Sequence, residues 1–269
     1  MYPELFNVGS WPVYSYGVLL AVSYLIGLRL AMWRARHFGL NAGQVLDLGI
    51  YIIIAALVGA KLLLVIVEPG QYLGSWEALL SLLRSGGVFY GGLILAVLVA
   101  FWYIARHRMP FWRTCDVFAP AIALGHVTGR LGCLAAGCCY GKETDVPWAI
   151  TFTNPLAANV GTPLGVHLHP TQLYEAGAEL LILGFLLTTE RRGRAFAGRT
   201  FWLYMLLYAI SRFIIEFYRG DPRGMVLGFS TSQFISLILG PMALAMLVYL
   251  ARTTPPVPTA GVRSKRAAA

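Results

Sequence analysis

The sequence predicts an all-α integral membrane protein of about seven transmembrane helices, with the N-terminus outside, the C-terminus cytoplasmic and short interfacial helices between spans. Three observations carry this reading. Seven apolar segments each come close to or exceed the ~20 residues that a helix needs to cross a bilayer. Charged residues make up only 12% of the 269-residue chain and hydrophobic residues 58%, whereas soluble domains average about 25% charged. Basic residues also gather in alternate loops.

The spans are expected at 13–33, 45–67, 87–105, 114–136, 171–189, 200–218 and 231–251, forming one polytopic domain over residues 1–252. Lipid leaves only helices or closed barrels, because every backbone polar group must be paired internally. The alternating pattern of about ten residues that barrel strands show is absent. The segment MYPELFNVGSWP has no basic start, and Arg34, Arg36 and His37 follow the first span where a signal peptide would show a small-residue cleavage site. The first span is therefore expected to be retained.

The loops after spans 1, 3, 5 and 7 carry Arg34 and Arg36; Arg106, Arg108 and Arg113; Arg191, Arg192, Arg194 and Arg199; and Arg252, Arg263, Lys265 and Arg266. The opposite side has only Arg84, Lys142, Arg219 and Arg223. Because Lys and Arg are kept on the cytoplasmic side, this asymmetry sets the orientation. It also accounts for the net charge of +9 without a nucleic-acid partner, since no basic run interleaved with aromatics lies outside the flanking loops.

Two outer loops are long. In the first, Trp76, Leu79, Leu80 and Leu83 share a helical face, as expected of a helix lying in the interface. The second, about 137–170, is rich in Gly, Pro, Thr and Asn and is expected to be irregular but ordered. Residues 253–269 read as a disordered cytoplasmic tail, and no internal repeat is visible.

Ionisable groups inside spans are costly, so each is a functional candidate. Span 4 places His126, Arg130 and Cys133 on one face near its outer end. Span 6 places Tyr208, Arg212, Glu216 and Arg219 on one face by the i, i+4 rule. Span 5 opens with Gln172, Glu175 and Glu179; spans 1 and 3 open with Tyr16 and Tyr90, and span 2 carries Lys61 near its outer limit. This one-sided gathering predicts a cavity open to the outer leaflet and lined by cations. Guanidinium groups in such a cavity suit a phosphate headgroup, which they bind in a bidentate way. A structural Arg212–Glu216 pair, a packed core His126 and interface tyrosines are the bland counterparts. Cys133, Cys138 and Cys139 cluster on the oxidising side, yet their spacing makes no recognisable zinc pattern; packing is the plainer role, and no metal or cofactor is expected. Soluble-enzyme motifs give no usable match.

The stretch GRLGCLAAGCCYGKETDVPW at 129–148 resembles the signature of bacterial prolipoprotein diacylglyceryl transferases. YSYG at 14–17, GGVFYGG at 86–92, HPTQLYE at 169–175 and RFIIEFYRGDPRG at 212–224 are similar to further family segments in the same order. The resemblance implies a transferase of the bacterial inner membrane. It would move the diacylglyceryl group of phosphatidylglycerol onto the lipobox cysteine of a prolipoprotein signal peptide and release glycerol phosphate, with lipids and signal helix reaching the site sideways from the membrane.

Carried over position by position, the resemblance implies site roles for Tyr16, Arg130, Gly141, His169, Gln172, Glu175, Arg212 and Glu216. The chain departs from the family at Tyr90, where well-known members have His, at Cys133 and Cys138, where they have Asn and Glu, and at Lys61, where Arg is common. A phenol, with an ordinary pKa near 10, is a poor base at neutral pH. The expected mechanism has Arg130 and Arg212 gripping the phosphate, Glu216 orienting Arg212 and Gln172 positioning the glycerol. The base stays open among His169, His126, Glu175 and Tyr90. A transporter or a non-catalytic lipid-binding relative are the competing classes, and the outward placement of the charges argues against a midplane transport site.

Overall fold

The computed structural model describes residues 2–9, 11–84, 87–191 and 195–257. Arg192, Arg194, Arg263, Lys265, Arg266 and the tail from 258 onward lie outside the described residues. A hairpin of β1 (Glu4–Val8) and β2 (Trp11–Tyr14) leads into α1 (Ser15–His37) and α2 (Ala42–Val67). Two short helices, α3 (Pro69–Tyr72) and α4 (Trp76–Arg84), precede α5 (Phe89–Arg106) and α6 (Phe111–Ala136). After the long loop come α7 (Thr171–Arg191), α8 (Arg199–Ile215) and α9 (Thr231–Thr253). Residues 256–257, within the tail expected to be disordered, pair as a strand with 195–196.

Among the described residues, seven long helices stand close to the expected boundaries, and six of them are long and apolar enough to cross a membrane. The chain is a multi-pass membrane protein by these helices. The seventh, α7, is less apolar because Gln172, Glu175 and Glu179 sit on it. Those three are buried, while Leu180 and Leu181 are 56% and 77% exposed. A helix with a polar inner face and an apolar outer face is the reverse of a soluble surface helix, and it suits a lipid exterior.

The chain divides into two compact units, residues 1–31 with 115–269, and residues 32–114. In the smaller unit, α2 and α5 meet through glycines: a Cβ on Gly59 would run into the Gly91 carbonyl and come within 2.7 Å of the Leu95 Cβ. Small residues at such a crossing let backbones approach, which is how helices associate in lipid.

In the larger unit, Ala119, Ala123, Ile182, Leu183, Leu186 and Tyr204 form a core shared by α6, α7 and α8. The Ser23 hydroxyl of α1 donates to the Gly125 carbonyl of α6 at 2.6 Å. Asp116, buried on α6, accepts from the Gly198 and Phe201 amides at 2.7 and 2.9 Å. It thereby satisfies two of the four amides that a helix start leaves unpaired, and it fixes where α8 begins. Ser230 and Gln233 form a reciprocal capping box at the start of α9. These anchors set the register of the polar stripes on α6, α7 and α8.

Candidate active site

The end of α6, the start of α7 and the end of α8 bring their charged stripes together on one carboxylate. Arg130 Nε lies 2.6 Å from Glu175 Oε2. Arg212 Nη1 and Arg219 Nη1 both donate to Glu175 Oε1, at 2.8 and 2.7 Å. A carboxylate accepts several such bonds, so one buried glutamate holds three guanidinium groups that would otherwise repel one another.

A second tier surrounds this hub. Arg212 Nη2 donates to Ser232 Oγ at 2.9 Å and is 2.7 Å from Glu216 Oε2, an ion pair without hydrogen-bond alignment. Arg219 makes a two-pronged contact with Asp221 at 2.8 and 2.9 Å. Burial works against the charge of Arg219, but the Asp221 hydrogen bonds and the field of Glu175 outweigh it and raise its pKa above the ordinary arginine value. Arg223 approaches Asp221 at 3.1 Å and Glu216 at 3.7 Å. Four guanidinium groups face three carboxylates here, which leaves a net positive charge. A cavity of about 230 Å³ opens beside them, lined by Lys142, Glu216, Arg219, Asp221, Arg223 and Gln233 among others. Among the described residues, the two terminal nitrogens of Arg130 and the Lys142 ammonium have no hydrogen-bond partner.

The loop after α6 is fixed from two sides. The Lys142 amide donates to the Tyr218 carbonyl at 2.8 Å, the Gly220 amide to Tyr140 at 3.1 Å and the His169 amide to Lys142 at 2.9 Å. Gly141 sits at the crossing: a Cβ there would strike the His169 carbonyl and approach the His169 Cβ and the Tyr218 carbonyl to 2.5 and 2.9 Å. The position demands a residue without a Cβ so that the three backbone segments can approach. His169 Nδ1 is 3.1 Å from the Tyr174 hydroxyl, which also receives the Trp148 Nε1 hydrogen at 2.7 Å.

Gln172, fully buried, donates to the Cys138 carbonyl at 2.7 Å and leaves its Oε1 without a partner; Thr171 Oγ1 donates to the Cys139 carbonyl at 2.8 Å. The sulfurs of Cys133, Cys138 and Cys139 lie within 4.8 Å of one another, and the thiols are free. The neighbouring Cys133 and Cys138 side chains hold the Cys139 thiol below the ordinary cysteine value; burial opposes them and Arg219 assists them.

The structure therefore brings Arg130, Glu175, Arg212 and Glu216 together, with Gln172 on the same helix as Glu175 and Cys133 and His169 on the adjoining helix end and loop. Tyr16 packs beside the end of α6, where a Cβ on Gly132 would be 3.3 Å from its ring. His126 is directed one turn away, to Glu179 Oε1 at 3.0 Å, with its ring stacked on Tyr208 at 5.4 Å. Lys61 and Tyr90 belong to the other unit. There Lys61 Nζ donates to the Leu82 carbonyl at 2.7 Å, and Tyr90, half exposed, meets Phe89 edge to face.

Arg130 takes its carboxylate from α7, and Glu175, a site and base candidate in the sequence, is engaged by three arginines. Ser232, Trp148 and Tyr174 escaped sequence reasoning because each bonds a residue on another segment, and Asp221 because its pairing with Arg219 and Arg223, two residues away on either side, follows no helical spacing.

Comparison with known proteins bears on this arrangement. The sequence model of the family described as prolipoprotein diacylglyceryl transferase matches residues 3–249. A phosphatidylglycerol--prolipoprotein diacylglyceryl transferase of Clostridium tetani is 38% identical over 237 residues, 88% of this chain and 93% of that protein. A similarly named enzyme of Clostridium perfringens is 33% identical, covering 84% of this chain and 87% of its own length. One from Acaryochloris marina is 31% identical, covering 94% and 93%.

Proposed function

Given that this chain belongs to the prolipoprotein diacylglyceryl transferase family, we propose that it is the transferase that moves the diacylglyceryl group of phosphatidylglycerol onto the lipobox cysteine thiol of prolipoproteins. In this reaction a carbon–sulfur bond forms at the glyceryl carbon bearing the phosphate. The carbon–oxygen bond to the phosphate breaks, and glycerol phosphate leaves. The thiol must lose its proton, and negative charge grows on the departing phosphate. Preorganised positive groups aimed at developing charge are commonly the largest catalytic contribution.

The observation that carries this reading is the way Glu175 spends the arginines. Its Oε2 meets Arg130 at Nε, 2.6 Å away, and the terminal nitrogens of that guanidinium, without a hydrogen-bond partner among the described residues, suit the two oxygens of a phosphodiester. Arg212 and Arg219, held in place by the same carboxylate, supply the surrounding field, and Glu216 orients Arg212. The Gln172 Oε1 is an acceptor suited to a glycerol hydroxyl. Glu175, engaged by three arginines, is an organiser of the cations in this reading rather than a base.

The Lys and Arg pattern orients the ends of α6 and α8 outward, which directs the site to the outer leaflet of the cytoplasmic membrane. Both substrates reside there: diacyl tails stay among lipids while the signal helix of the precursor approaches laterally. The test is direct. Purified protein is incubated with phosphatidylglycerol and a lipobox peptide, and the peptide is weighed. A gain of one diacylglyceryl group on the cysteine is the expected result. An unmodified peptide in the presence of folded protein would overturn the reading.

A further inference from the structure

We infer that Cys133, Cys138 and Cys139 form a three-thiolate site for a zinc-class ion whose fourth position takes the incoming substrate thiol. This rests on the transferase reading above and names what activates the thiol in it. The three sulfurs already lie within 4.8 Å of one another. Thiolates around tetrahedral zinc, at ~2.3 Å each, sit about 3.8 Å apart, so side-chain rotations that move the sulfurs by roughly an ångström close the site.

The backbone is arranged to keep them converged. Gly137 ends α6 with φ +86°, and Cys139 holds φ +62°, a left-handed conformation that is uncommon for a residue with a side chain. The Cys138 and Cys139 carbonyls are pinned from α7 by Gln172 and Thr171. Strain of this sort persists only where surrounding contacts over-determine it, and it gathers at functional sites. Simple packing cysteines need no such turn.

Charge and chemistry agree. Three thiolates and a divalent cation make a monoanion, and Arg130, one turn from Cys133, and Arg219, beside Cys139, balance it. Three protein ligands with an open fourth position are the pattern of a catalytic rather than a structural zinc site, and a thiol that coordinates such an ion is deprotonated outright. The substrate thiol would lose its proton to water on binding. The metal-held thiolate then attacks the glyceryl carbon, and the carbon–oxygen electron pair leaves with the phosphate toward Arg130. The product thioether is neutral, a weaker ligand, and departs. The chain thus has a route to thiolate although Tyr90 stands where the family that it resembles has His.

The experiment uses the full chain in detergent, reduced and stripped with chelator. Titration with Cd²⁺ is expected to give a thiolate-to-metal absorption band that saturates at one ion per chain and to protect Cys138 and Cys139 of the unmutated protein from maleimide. Cys138→Ser and Cys139→Ser lose the band, and Cys115→Ser keeps it. Transfer to a lipobox peptide is then followed with Zn²⁺ and with chelator. A free thiol of pKa ~8.5 is only about 3% ionised at pH 7. The stripped protein should therefore be about 30-fold slower there and gain rate as pH rises, while the zinc-loaded protein shows little pH dependence between 7 and 8.5. Absence of the band and of protection overturns the site, as does equal transfer with and without zinc for its role; in both cases the transferase reading stands. Metal binding without transfer under any condition overturns the transferase reading and the role together.

Discussion

Arg130 meets Glu175 at Nε, 2.6 Å from Oε2, on the same buried carboxylate whose Oε1 takes Arg212 and Arg219. The arrangement resolves a conflict. Several buried cations repel one another and pay heavily in lost hydration, whereas a site for an anionic headgroup needs them close. One glutamate shared by three arginines keeps the cluster assembled and still positive.

Replacing that glutamate should unmake the cluster. Glu175→Gln leaves Arg130, Arg212 and Arg219 around a neutral amide, and breaking a buried ionic arrangement typically costs about 3–5 kcal/mol. The expected outcome is a lower unfolding temperature together with a loss of transfer in the fraction that stays folded. Thermal unfolding in detergent, read beside the peptide assay, checks both.

Gly141→Ala is expected to damage the site without touching any charge. The added methyl meets the His169 carbonyl and the Tyr218 carbonyl, and overpacking of this kind typically costs about 1–3 kcal/mol. Because the same crossing carries the Lys142 and His169 backbone bonds, activity should fall further than stability. Specific activity per folded molecule and thermal unfolding, measured together, decide the point.

Asp116→Ala supplies the opposite signature. It removes the acceptor for the Gly198 and Phe201 amides far along α6 from Arg130, and an unmet helix cap costs roughly 0.5–2 kcal/mol. Unfolding should shift downward while the specific activity of the folded enzyme stays within about threefold of normal, since the loss concerns a helix start and not the ~10²–10³ of a charge-stabilising group.

What the sequence revealed, and what it hid, follows from the solvent. Lipid filters composition strongly, so α1, α2, α5, α6, α8 and α9 stand out as apolar runs, and a polar side chain on them is conspicuous. For the same reason the i, i+4 stripes of Arg130 on α6 and Arg212 with Glu216 on α8 were legible. The bond between Arg130 and Glu175 was not, because it joins residues on different helices and no spacing encodes it. Gly141 read as a motif letter, and only its crossing with His169 and Tyr218 gives it a physical reason. The convergence of Cys133, Cys138 and Cys139 depends on the left-handed turns at Gly137 and Cys139, which a C-x₄-C-C spacing does not announce. The difference in hydropathy that sets α7 apart likewise comes from Gln172, Glu175 and Glu179 facing inward.

Tyr90→Phe addresses the base. If the thiol is activated at the cysteine triad, loss of the phenol hydroxyl leaves transfer within about threefold, whereas removing a general base costs ~10²–10⁴. Initial rates of peptide modification at neutral pH separate these outcomes.

In the proposed reaction Arg130, presented by Glu175, grips the phosphate as it leaves. The decisive quantity is the rate of diacylglyceryl transfer from phosphatidylglycerol in Arg130→Ala, prepared so that its unfolding temperature matches that of the unmutated protein. A fall of about 10²–10³-fold is predicted, the usual cost of removing a group that stabilises developing charge. Transfer within about threefold of normal would contradict the claim.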